Sequence, residues 1–255
     1  MSYKKIDDEN DSLESLIIYG RNPVLEVLKS DKDIDAIYIL DFDLKGNIPE
    51  IIAKAKQKGI VVKKADQKKL DLLSDGGVHQ GVVAALPAIK YSQLDDVFKI
   101  AEEKNEKPFI IVADEIEDPH NLGALIRTAD AAGAHGFIIP KRRSATVNAT
   151  VYKTSAGACA HLPIVKVTNI SDTLEKLKEQ NVWVYGADMD GQNVWETNLD
   201  GAVALVIGSE GKGLGTLVKK RCDALVSLPM NGSVNSLNAS VAGGILMYEI
   251  VRIRK

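Results

Sequence analysis

FIIVADEIEDPHNLGALIRTADAAGAHGFIIP, residues 109 to 140, is the stretch whose reading decides the fold. Its opening run is continuously apolar, as in a strand buried on both faces. A loop with Pro119 and Asn121 comes next, then a helical pattern, Gly133, and the second apolar run GFIIP. The same alternation continues through PIVKV, VWVYGAD, AVALVIG and ALVSLP, each separated by helical segments. Such spacing predicts a buried, mostly parallel sheet, and ligands of open α/β sheets bind at the carboxyl ends of the strands. The loops after Ala113, Ile207 and Leu228 are therefore expected to converge on a site.

Upstream, short strands and helices also alternate: LIIYG, a helix expected to be capped by Asn22 with Pro23 at its first position, and DAIYIL. A helix from Ile48 to Lys58 stopped by Gly59, the strand IVVKK, a helix from Gln67 to Leu73 and the strand GVVAAL complete this part. The domains expected are a flexible tail over 1–15, a small α/β domain over 16–88, a joining helix over 89–107 and the main domain over 108–255. The 255 residues suffice for this division. Hydrophobic residues at 45% and charged residues at 26% exclude disordered and fibrous classes. A net charge of −3 argues against nucleic-acid binding by bulk charge but leaves room for a local basic surface. Residues 16 to 90 carry a slight excess of Lys and Arg. No apolar run approaches a membrane span and the N-terminus is polar, so a cytoplasmic location is expected. Cys159 and Cys222 lack zinc-site spacing and the four histidines are scattered, so no metal is expected.

Three loops carry candidate chemistry. In the first, Asn121 is placed to cap a helix starting at Leu122, with Arg127 about one and a half turns in. A guanidinium there is a permanently charged donor fork for a phosphate or an oxyanion. Alone, an N-cap and a surface arginine is the plainer reading. In the second, VIGSEGKGLG, four glycines (Gly208, Gly211, Gly213, Gly215) suggest backbone pressed against a ligand. The dinucleotide pattern G-x-G-x-x-G and the P-loop both fail to match. In the third, the polar cluster Asn235, Ser236, Asn238 and Ser240 leads into an apolar stripe at Val241, Ile245, Tyr248 and Ile250.

Taken together and in order, NLGALIRTAD, IGSEGKGL and LPMNGSVNSLNASVA resemble the three motifs of the TrmH/SpoU family of SPOUT RNA 2'-O-ribose methyltransferases, in its RlmB-like branch. The region of IYGRNPVLEVL and VHQGVVA resembles that family's N-terminal substrate-binding domain. The resemblance implies an α/β fold with a C-terminal trefoil knot and a small N-terminal α/β substrate-binding domain. It implies S-adenosyl-L-methionine as cofactor, a homodimer, and structured RNA as substrate, with a guanosine of 23S ribosomal RNA favoured and transfer RNA the alternative. Carried over residue by residue, it assigns Arg127, Asn121, Glu210, Ser236 and Asn238 to catalysis, and Gly208, Leu228, Leu237, Ile207, Gly211 and Met230 to the cofactor. Arg21 and Asn22 are the first candidates for RNA contact. A non-catalytic RNA-binding protein and a nicotinamide enzyme are the competing classes, and cofactor binding separates them.

Overall fold

The computed structural model describes residues 16–29, 34–41, 46–87, 90–234 and 236–254. The expected tail over 1–15 and the candidate Asn235 lie outside them. The chain divides into two compact units, Met1–Lys90 and Tyr91–Lys255.

The first unit runs β1 (Leu16–Tyr19), α1 (Arg21–Lys29), β2 (Ala36–Leu40), α2 (Ile48–Gln57), β3 (Val61–Ala65), α3 (Gln67–Leu73) and β4 (Val82–Leu86). Its sheet has the order β1-β4-β2-β3, with β2 and β3 parallel and the other pairs antiparallel. Helix α1 starts two residues earlier than expected, at Arg21 rather than Pro23. Gly20, at φ +93°, turns the chain, and its carbonyl accepts the first helical bond from Val24 N at 3.1 Å. Asn22 therefore lies inside the first turn and is not the cap. Pro23 is tolerated there because a first-turn N–H has no intrahelical partner in any case.

The second unit runs α4 (Leu94–Glu103), β5 (Phe109–Ala113), α5 (Pro119–Ala131), β6 (Gly136–Pro140), α6 (Ala149–Thr154), β7 (Ile164–Val167), α7 (Ile170–Glu179), β8 (Trp183–Asn193), β9 (Val203–Ile207), α8 (Thr216–Arg221), β10 (Ala224–Ser227) and α9 (Ala239–Arg254). All six strands are parallel, in the order β10-β8-β9-β5-β6-β7. β5 and β9 are buried along their whole length at the centre, which is what continuous apolar runs require of a sheet covered on both faces. α4, expected as a joining helix, packs Val97 into the main core beside Ile110, Val112 and Ile138. Among the described residues, no helix is long and apolar enough to cross a membrane. Both cysteines are free, and burial pushes the Cys222 thiol up to about 12, so it stays protonated.

Candidate functional site

The site is built where β5, β9 and β10 end. Asp114 follows β5 and continues its pairing with β9, its N–H donating to Ile207 O at 2.8 Å. The Asp114 side chain is buried and accepts a hydrogen bond from Gly215 N at 2.8 Å, tying the first loop to the end of the glycine loop. Burial raises its pKa above the usual carboxylate value, the bond from Gly215 opposes that, and neighbouring Glu115 adds to the rise. Glu115 itself sits at φ +55°, in the left-handed region.

Pro119 presets the first helical residue of α5, so the cap falls on Asp118, whose carboxylate accepts from His120 N at 3.0 Å. Asn121 is consequently a buried first-turn residue and not the cap expected of it. Arg127 is correspondingly more than two turns into α5 rather than one and a half, and it is exposed.

The glycine loop folds tightly on itself: Ser209 N donates to Gly213 O at 3.2 Å and Gly213 N to Ser209 O at 2.9 Å. Gly211 and Gly213 have φ of +80° and +65°, which glycine adopts freely. A Cβ on Gly208 would overlap the backbone of Gly213 and Leu214. The space beside the Gly208 Cα is thus taken by its own loop.

Asn238 joins the three loops. Its Nδ2 donates to Asn121 Oδ1 at 2.9 Å and to Glu210 Oε1. Its Oδ1 accepts from Ser240 N at 2.9 Å and Val241 N at 3.3 Å, which caps α9. Glu210 Oε1 also accepts from Ala239 N at 3.3 Å. Asn121, Glu210 and Asn238 are therefore brought into one network, whereas Ser236 is exposed and outside it.

Beside this network lies a cavity of about 150 Å3. Its wall combines Asn121 and Glu210 with Glu115, Glu117 and Asp118, opposed by Lys212. The wall is therefore acidic. Arg127, Gly208, Leu228, Met230 and Leu237 are not among its lining residues. The segment Leu228 to Val234 forms no hydrogen bond among the described residues. Its amides and carbonyls remain available to water or a ligand, since such groups need partners. Sequence reasoning missed Asp114, Asp118 and Lys212. The signals were present: an acid ending a fully apolar strand, an acid before proline, and the lysine of the loop excluded as a P-loop.

Arg21 N donates to Gln80 Oε1 at 3.1 Å and its Nε to Gln80 O at 3.0 Å. These bonds tie the start of α1 to the turn before β4. Asn22 is exposed beside it.

Comparison with known proteins places this geometry. Residues 17–92 match the family described as RNA 2'-O ribose methyltransferase substrate binding. YacO of Bacillus subtilis (strain 168), named for the TrmH family of tRNA/rRNA methyltransferases, is 51% identical over 93% of this chain and 95% of its own length. A Staphylococcus haemolyticus (strain JCSC1435) protein named for the same family is 42% identical over 95% of this chain and 97% of its own. Among solved structures, the SpoU methyltransferase AviRb from Streptomyces viridochromogenes, in complex with AdoMet, superposes with a TM-score of 0.71 at 24% identity. The match covers 93% of this chain and 89% of that one, and it establishes the fold. The three loops that Asn238 joins all lie within residues 108–248, which match the SpoU rRNA Methylase family, and the chain belongs to that family.

Proposed function

We propose that the chain transfers the methyl group of S-adenosylmethionine to a ribose 2'-hydroxyl of structured RNA, a guanosine of 23S ribosomal RNA before a transfer RNA guanosine. The observation that carries this reading is the network of Asn121, Glu210 and Asn238, which joins all three motif loops beside an acidic cavity. When bound, the cofactor supplies an activated methyl group on a sulfonium. The residues present fit such a group. A cationic sulfonium suits a wall carrying four carboxylates and one lysine. The unengaged backbone from Leu228 to Val234, with the half-buried side chains of Leu228 and Met230, suits an adenosine. Ile207, Gly208 and Gly211 set the course of the neighbouring loop.

The chain's own residues then have separable tasks. An alcohol is a poor nucleophile until its proton leaves. A guanidinium is a permanent charge rather than a base, so the role given to Arg127 is to offset the charge on the forming 2'-alkoxide. Its exposed side chain, without an ion pair among the described residues, is available to RNA. Asn121 and Asn238 hold the helix start and the loops in register, Glu210 fixes both, and Ser236 orients the ribose. The substrate-binding match over 17–92 supports RNA recognition by the first unit, with Arg21 and Asn22 at its surface. Exposed Val241, Ile245 and Tyr248 on α9 support a homodimer.

The test is methyl transfer from tritiated S-adenosylmethionine to ribosomal and transfer RNA from cells lacking the protein, followed by mapping of 2'-O-methyl positions. Label on a guanosine of large-subunit RNA is expected. Label on transfer RNA alone would move the substrate, and failure to bind the cofactor in a calorimeter would remove the reading.

A further inference from the structure

An acidic cavity wall repels the phosphates that flank any ribose offered to it. If the catalytic unit is to receive RNA, cations must stand at the rim. The sequence places three in succession, Lys141, Arg142 and Arg143, directly after β6. All three are exposed, and neither Lys141 nor Arg142 has an ion-pair partner among the described residues.

This loop is fastened to the cavity. Ala145 N donates to Ile116 O at 2.8 Å and Ser144 Oγ donates to the same oxygen at 3.2 Å, and Ile116 lines the cavity. Arg143 Nη1 pairs at 3.1 Å with Oε1 of Glu115, another lining residue. Both members of that pair hold left-handed backbone, at φ +55° and +56°, which non-glycine residues rarely adopt. The pair fixes one guanidinium nitrogen at the rim and leaves the other donors of the fork open, since arginine offers five. The Arg143 side chain is 76% exposed, so the pair is a weak one that an anion can share or displace.

We infer that Lys141, Arg142 and Arg143 form a phosphate-contacting rim that seats the RNA backbone beside the target ribose, with Glu115 orienting Arg143. This rests on the RNA reading above and adds a contact surface on the catalytic unit, separate from the first unit and from Arg127. Phosphate contacts of this kind fix position without reading sequence. They also release counterions, so the rim should contribute to the salt dependence of RNA binding.

The experiment uses the full chain and the variant Lys141→Ala/Arg142→Ala/Arg143→Gly. Glycine at 143 removes the charge while suiting the left-handed backbone. Binding of a fluorescein-labelled RNA hairpin with unpaired guanosines is followed by anisotropy across a potassium chloride series, and S-adenosylmethionine binding by calorimetry. The variant should bind the hairpin about tenfold more weakly at moderate salt, with a log–log salt slope shallower by roughly two. Its cofactor affinity and thermal midpoint should match those of the unchanged protein. If the unchanged protein binds the hairpin and the variant keeps the same slope, the rim is overturned while the RNA reading stands. Loss of cofactor affinity in parallel would make the loop a support of the cavity and equally overturn the rim. If the unchanged protein does not bind the hairpin, both readings fall. Should the triple variant not fold, Arg142→Ala alone, an exposed and unpaired position, should shallow the slope by somewhat less than one.

Discussion

Asp114 is the residue on which the site's geometry depends most, because one carboxylate oxygen connects the end of β5 to the end of the glycine loop. A buried acceptor of a backbone N–H contributes on the order of 1 kcal/mol, and removing it also leaves that donor unpaired. Asp114→Ala should therefore loosen the loop and weaken S-adenosylmethionine binding about tenfold, which is 1.4 kcal/mol. Asp114→Asn keeps an acceptor for Gly215 without a buried charge and should bind nearly as well as the unchanged protein. Equal losses in the two variants, measured by calorimetry, would show that charge and not the hydrogen bond matters. Gly208 gives a different outcome from the one its sequence suggests. Its Cβ would meet the Gly213 backbone, so Gly208→Ala should destabilise the ligand-free protein by about 1–3 kcal/mol in urea unfolding. An unchanged midpoint would count against this packing. That four glycines in one short loop are special was legible in the sequence. Which surface each one meets was not, because glycine spacing does not distinguish a ligand from the loop's own backbone.

Elements show the same division between pattern and detail. The six parallel strands were legible because each carries a short apolar, β-branched run bounded by turn residues, continuous in β5 and β9 and interrupted by polar residues in β7 and β8. Helix starts were less so. Asn22 and Asn121 are both good cap residues, but Gly20 and Asp118 precede them, and the chain begins its helices there. At the start of β6, His135 is buried with Nδ1 accepting from Phe109 N at 2.9 Å and Nε2 meeting Glu106 Oε2 at 3.1 Å. Accepting at Nδ1 requires the neutral ring. Burial lowers its pKa below 6.5, with Glu106 opposing. The unfolded chain then binds a proton that the folded chain refuses, so this contribution is complete above pH 6.5 and is lost as pH falls through the lowered folded value. Thermal midpoints should thus drop on acidification below about pH 6.5. His135→Asn, which offers an oxygen near the Nδ1 position, should flatten that slope while lowering stability throughout. A slope unchanged in the variant would assign the acid sensitivity elsewhere.

At the scale of the molecule, the proposed function divides between the two units, the first locating RNA and the second transferring the methyl group. The strand order β10-β8-β9-β5-β6-β7 could not be read from the chain, since periodicity reports burial and not neighbours. The knot that the resemblance implies is a matter of threading, which turn chemistry does not encode and which general rules of chain topology disfavour. The stripe on α9 was partly legible: Val241, Ile245 and Tyr248 share an exposed face, while Ile250 lies off that face and is fully buried. The second unit contains every motif loop, its own core and α4, which covers that core with Val97 and Ala101. A protein of residues 91–255 should accordingly fold and bind S-adenosylmethionine with unchanged affinity. A version beginning at 108 would lack α4, exposing Val97's buried neighbours Ile110 and Ile138, and should be markedly less stable. Without the first unit, methylation of the native RNA should fall steeply through a raised KM for RNA, with kcat much less affected, because the missing contacts act on binding rather than on the developing charge. Unchanged KM in the shorter protein would mean that RNA recognition resides wholly in the catalytic unit, and the rim beside Glu115 would then be the first place to look for it.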